Sequence, residues 1–214
     1  MPFKAACGIF AALAITALLS VGAARAEPLR LVGFGDSLMA GYLLPANDAF
    51  PVRLEAALRE KGYDVEIANA GVSGDTTSGG LARLDWSVPE GTKGVILELG
   101  ANDALRGIAP EESEKNLDAM VTRLKERGIA VLLAGMLAPP NMGPDYEERF
   151  NGIYHRLAEK HGVPLYPFFL DGVAGEAKRQ LEDGMHPNAE GVDVMVRSIL
   201  PTAEAFVRSL AASP

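Results

Sequence analysis

The sequence predicts an α/β fold: a three-layer α/β/α sandwich around a five-stranded parallel sheet of flavodoxin-like order 2-1-3-4-5. Three observations carry this. Five short apolar runs of β type alternate with amphipathic helical stretches. Parallel neighbours need a crossover, and a helix after each strand supplies it. Polar and glycine-rich turns follow the apolar runs, at the edge where open α/β sheets form their crevice. The 214 residues, 48% hydrophobic and 22% charged, suit one domain with one core.

Residues 1–26 read as a secretory signal peptide ahead of a domain over 27–214. Lys4 gives the positive start, Gly8 to Val21 are apolar or small apart from Thr16 and Ser20, and Ala24-Arg25-Ala26 fits a small-x-small cleavage site. The apolar run is shorter than the roughly 20 residues that span a bilayer, and no later segment could span one. Export is therefore expected, to periplasm or medium after cleavage near Ala26, with no stable membrane insertion. The single cysteine, Cys7, falls inside the leader and too early in it to bear a lipid, so the mature chain carries no thiol. Lys4 and Arg25 are the only charged residues before Glu27, and without them the formal charge moves from −8 to −10. Such a surface disfavours nucleic acid as a partner.

The elements follow in order. Leu31 to Phe34 is the first strand. Asp48 is placed to cap a helix with Phe50, Leu54, Ala57 and Leu58 as its buried stripe, ending at Gly62. Val65 and Ile67 mark the second strand, and a short helix runs through Leu81 and Leu84. Val95 to Leu99 is the third strand; Pro110 opens a helix with core face Leu117, Met120, Val121 and Leu124, stopped by Gly128. Ile129 to Ala134 is the fourth strand. One helix carries Phe150, Ile153, Tyr154 and Leu157 and ends at His161-Gly162. Val163 to Tyr166 is the fifth strand, and a last helix runs to about Leu210.

In this order Ser37 follows the first strand, Gly74 the second, Asn102 the third and His186 the fifth, all at one sheet edge. Ser37, in Gly35-Asp36-Ser37-Leu38, opens a helix where unpaired N–H groups favour negative charge. It is either a helix cap or a nucleophile. Of three histidines, His155 and His161 belong to a helix surface, which leaves His186 as a base. Asp183 stands three residues before it, with Gly184 allowing the turn, and can fix the imidazole tautomer. Acyl transfer also needs oxyanion donors, and three are on hand: the backbone N–H groups of Ser37 and Gly74 and the Asn102 amide. Gly74 also suits a plain turn, and Asn102 a cap. Asp36, Asp75 and Asp103 are expected to hold loops by hydrogen bonds. Glu98, inside an apolar strand, must find a partner if buried.

Four blocks in order, Gly35-Asp36-Ser37-Leu38, Ser73-Gly74-Asp75-Thr76, Gly100-Ala101-Asn102-Asp103 and Asp183-Gly184-Met185-His186-Pro187-Asn188, resemble the SGNH or GDSL hydrolases across essentially the whole mature chain. Gly80-Leu81-Ala82-Arg83-Leu84, Asn102-Asp103-Ala104-Leu105-Arg106-Gly107 and Val163-Pro164-Leu165-Tyr166-Pro167-Phe168-Phe169 resemble its bacterial exported subgroup of acyl-CoA thioesterases, lysophospholipases and arylesterases. Ala101 departs from the second glycine of many members. The resemblance implies Ser37 as nucleophile, His186 as base and Asp183 as its orienting acid, with Ser37, Gly74 and Asn102 as the oxyanion hole. It implies hydrolysis of a small ester or thioester substrate bearing an acyl group, through an acyl-enzyme and with no metal or organic cofactor. Leu105 and Ile108, with Met142 on the next loop, are expected to line an apolar acyl groove, unless these loops are ordinary connections. The same apparatus would suit a carbohydrate O-deacetylase or acyltransferase; a silent lipid carrier would need the groove but not the nucleophile.

Overall fold

In the computed structural model, which describes Met1 and residues 27–212, the strands are β1 (Leu29–Gly35), β2 (Val65–Gly71), β3 (Gly94–Glu98), β4 (Ala130–Ala134) and β5 (Leu165–Tyr166). They pair in parallel in the order β2-β1-β3-β4-β5. The leader expected over residues 1–26 lies, Met1 aside, outside the described residues, and so does the cleavage site near Ala26. Every residue from Leu31 to Gly35, all of β3, and Val131 to Ala134 are buried. That continuous burial is the signature of strands covered on both faces.

The helices are α1 (Ser37–Ala40), α2 (Phe50–Glu60), α3 (Thr77–Ser87), α4 (Ala101–Leu105), α5 (Pro110–Glu126), α6 (Pro144–Asn151), α7 (Ile153–His161) and α8 (Ala189–Ala211). α2 packs on α8, while α3 packs on α5 and α5 on α7, which gives two helical layers with the sheet between them. No helix among the described residues is long and apolar enough to cross a membrane.

Three local expectations are corrected. Asp48 does not cap α2: it ends a 3-10 turn over Ala46–Asp48 and pairs with Arg53, and Ala49 precedes the helix. Pro51 explains the change, since it suits a first helical turn where no N–H is needed. The helix through Phe150 and Leu157 is two helices, α6 and α7, parted at Gly152, where the absent Cβ leaves room for the Arg156 guanidinium. The buried stripe survives the break, because Phe150, Ile153, Tyr154 and Leu157 all remain in the core. The fifth strand keeps only Leu165 and Tyr166.

Register sets the edge that matters. Gly35 lies level with Gly71, Phe34 with Leu97, and Glu98 with Ala134. Chains leaving β1 and β3 therefore emerge side by side.

Candidate active site

β1 ends at Gly35, Asp36 caps α1, and Ser37 is the first helical residue. The Asp36 carboxylate accepts from the Leu38 N–H at 3.0 Å, which closes the helix start. At the other end the N–H groups of Gly41 and Tyr42 both donate to the Ser37 carbonyl, at 3.2 and 3.1 Å. Ser37 is thus held from both sides and is 8% exposed.

His186 reaches it from the loop before α8. Nε2 of His186 lies 2.8 Å from Ser37 Oγ, and Nδ1 lies 2.6 Å from Asp183 Oδ2. The other oxygen of Asp183 accepts from the N–H groups of Met185 and His186, at 2.9 and 3.0 Å. Those backbone donors are the main reason its carboxyl is held down to about 2. Gly184, at φ +66, makes the turn, and the Leu181 N–H donates to the His186 carbonyl. Tyr42 lays its ring against the imidazole, with centroids 4.5 Å apart. Nothing in the spacing of the sequence signals that contact beyond the nearness of Tyr42 to Ser37.

Asn102 belongs to α4, directly after β3. Its Nδ2 donates to Asp36 Oδ2 at 2.9 Å, and the second hydrogen of that amide is not used by this bond. Gly74 sits in the turn after β2 at φ +81, its carbonyl accepting from Arg106 Nη2 at 2.8 Å. Arg106 is a second residue that the sequence alone does not single out.

Beneath the site lies the partner of Glu98. Both Glu98 and Asp36 are fully buried, and Glu98 Oε2 accepts from the Asp36 N–H at 3.2 Å. Gly35 makes room for it, since a Cβ there would lie 2.4 Å from that oxygen. The second oxygen, Oε1, has no hydrogen-bond partner. Burial pushes the Asp36 carboxyl up to about 6 against the pull of the Leu38 N–H and Asn102. Burial, and then the Asp36 charge, raise Glu98 well above the ordinary carboxylate range.

Two further acids hold loops, as expected. Asp75 pairs with the buried Arg83 at 2.6 Å, and Arg83 also donates to the carbonyls of Gly35 and Ala70 while lying 4.0 Å from the centre of the Phe34 ring. Asp103 accepts from the N–H and hydroxyl of Thr77 and from Ser113, which ties α3, α4 and α5 together. The other histidines lie elsewhere: His155 is exposed on α7, and His161 pairs with Asp118. Among the described residues no group of three His, Cys, Asp or Glu side chains is placed to hold a metal ion.

Ser37, Asn102 and His186 face a cavity of about 390 Å³ whose remaining wall is largely apolar, with Leu105, Met136, Leu137 and Leu170 among its lining. Of the three residues expected in the groove, Leu105 lines it. Ile108 and Met142 stand outside the lining: the Ile108 carbonyl accepts from the Tyr146 hydroxyl, and the Met142 methyl packs toward Gly107. Gly74 is also outside that lining, at the neighbouring loop.

Residues 34–194 match the model of the GDSL-like Lipase/Acylhydrolase family. An arylesterase of Vibrio mimicus is 40% identical over 179 residues, covering 83% of this chain and 90% of its own. The thioesterase 1/protease 1/lysophospholipase L1 of Escherichia coli K12 is 36% identical over 189 residues, covering 86% of this chain and 88% of its own. The crystal structure of AlinE4, an SGNH-hydrolase family esterase, superposes with a TM-score of 0.72 at 43% identity, covering 85% of this chain and 98% of that one.

Proposed function

The chain belongs to the GDSL-like Lipase/Acylhydrolase family and is a serine hydrolase of carboxylic esters and thioesters, and from that premise we propose that Ser37, His186 and Asp183 carry the reaction. The observation that supports this assignment is the unbroken run from Ser37 Oγ through His186 to Asp183, at 2.8 and 2.6 Å, opening on an apolar cavity. His186 Nε2 takes the Ser37 proton as Oγ attacks the acyl carbon, while Asp183 holds the Nδ1–H and so selects the tautomer. Negative charge then develops on the substrate's carbonyl oxygen. The N–H groups of Ser37 and Gly74 and the free hydrogen of the Asn102 amide are its donors.

As the tetrahedral species collapses, His186 gives the proton to the departing alkoxide or thiolate, leaving Ser37 acylated. Water enters, His186 takes a proton from it, and the acid is released by the same steps in reverse order. The apolar wall at Leu105, Met136, Leu137 and Leu170 favours an acyl chain over an acetylated sugar. Arylesters, acyl-CoAs and lysophospholipids are accordingly the substrate classes to test. A leader over residues 1–26 would deliver the enzyme to the periplasm or medium.

The decisive experiment compares the purified protein with Ser37→Ala on aryl esters, acyl-CoAs, lysophospholipids and acetylated sugars. Turnover on the acyl substrates that vanishes in the folded variant is expected. Turnover undiminished in Ser37→Ala sinks the assignment; acyl binding without turnover in the wild type points to a carrier, and products formed with added alcohols point to acyl transfer.

A further inference from the structure

An oxyanion donor works only if its N–H already points at the developing charge, and a glycine at φ +81 has wide conformational freedom to point elsewhere. The peptide after Gly74 is nevertheless held on both edges. Its N–H, on Asp75, donates to the Val72 carbonyl at 3.1 Å, and its carbonyl, on Gly74, accepts from Arg106 Nη2 at 2.8 Å. With that plane held, the direction of the Gly74 N–H is set by the two backbone rotations of Gly74 itself, measured from a fixed plane instead of a loose one.

Arg106 is the C-cap of α4, four residues after Asn102, and its own N–H donates to the Asn102 carbonyl at 3.1 Å. One five-residue helix therefore presents the Asn102 amide directly and reaches the Gly74 turn through the arginine. The side chain is exposed, and among the described residues no carboxylate pairs with it. The guanidinium of this exposed arginine meets a loop carbonyl instead of a carboxylate, a placement that ion pairing does not explain.

We propose that Arg106 is a positioning residue for the oxyanion hole, holding the Gly74 carbonyl so that the Gly74 N–H faces the substrate oxygen. This rests on Gly74 being one of the donors to that oxygen. Loss of the clamp loosens one donor without deleting it. The fall in kcat is therefore smaller than the roughly 10²–10³ that follows removal of a donor outright.

The test is steady-state kinetics of purified wild type, Arg106→Ala and Arg106→Lys on an uncharged aryl ester and on an acyl-CoA, with Ser37→Ala assayed beside them. Arg106→Ala is expected to lower kcat about tenfold on both substrates with KM within about twofold, and to shift the Gly74 amide resonance in the ¹⁵N–¹H spectrum. Arg106→Lys, which keeps a donor on a long side chain, is expected to recover part of the loss. An unchanged kcat on the aryl ester overturns the proposal. So does a rise in KM confined to the acyl-CoA, which would make Arg106 a contact for the phosphates of that substrate. Full activity in Ser37→Ala would instead overturn the hydrolytic assignment itself, so the two failures read differently.

Discussion

Asp36 serves three neighbours at once: its N–H donates to Glu98, one carboxylate oxygen caps α1 at Leu38, and the other accepts from the Asn102 amide. The last of these orients Asn102, because a donor that must meet Oδ2 with one hydrogen presents the second in a fixed direction. Asn102→Ala should lower kcat by roughly 10²–10³ with little change in KM, as for a donor used mainly in the transition state; equal activity would remove it from the hole. Asp36→Asn is the finer test. Its single side-chain oxygen can serve Leu38 or Asn102, and the amide that replaces the other oxygen sets a donor against a donor. We expect at least an order-of-magnitude loss of kcat in a protein that still folds. Retention of full kcat would show that Asn102 is aimed by something other than Asp36.

At the scale of elements, two very short helices do the positioning: α1 presents Ser37, and α4 presents Asn102 and Leu105. Leu105 is 55% exposed at the cavity wall, so replacing it should disturb substrate before it disturbs folding. Leu105→Asp is expected to abolish any preference for longer acyl chains by placing a charge on the wall proposed to receive the chain; chain-length profiles that overlay the wild type would remove Leu105 from that role. The strands that bring these helices together were legible in the sequence because buried parallel strands read as unbroken apolar runs, and the Asp183–His186 spacing was legible because both side chains sit on one local turn. What escaped the sequence was contact without periodicity. Tyr42 meets His186 across 144 positions, Arg106 meets Gly74 between two loops, and the carboxyl of Glu98 meets the N–H of Asp36 across two strands. The lining of the cavity was partly legible for the same reason: of the three residues expected there Leu105 lines it, whereas Met136 and Leu137 line it and Ile108 and Met142 do not.

Across the whole molecule, the sheet edge that carries Ser37 and Asn102 also buries two neighbouring acids, Asp36 and Glu98, and this should shape the response of stability to pH. The folded chain holds Asp36 at about 6 against an ordinary 3.8, so from about pH 4 to 6 it keeps a proton the unfolded chain has released. Glu98, raised well above 4.5 by burial and then by the Asp36 charge, does the same from pH 4.5 upward. Stability therefore falls as pH rises through this range, by about 1.4 kcal/mol per pH unit for each proton so held. Asp183 acts in the opposite sense: held at about 2 by backbone donors, it contributes stability above its ordinary 3.8 that is lost as pH drops toward 2. The buried pair and Asp183 therefore pull stability in opposite directions across the acid range. Glu98→Gln isolates the buried pair, since surface carboxylates act equally in both proteins and cancel in the difference. Urea unfolding at pH 4.5, 6 and 7.5 should show the wild type losing stability toward neutrality and the variant losing markedly less, with the gap widening at each step. Parallel profiles would mean that Glu98 is ionised in the folded protein and that Asp36 is not buried against a neutral acid.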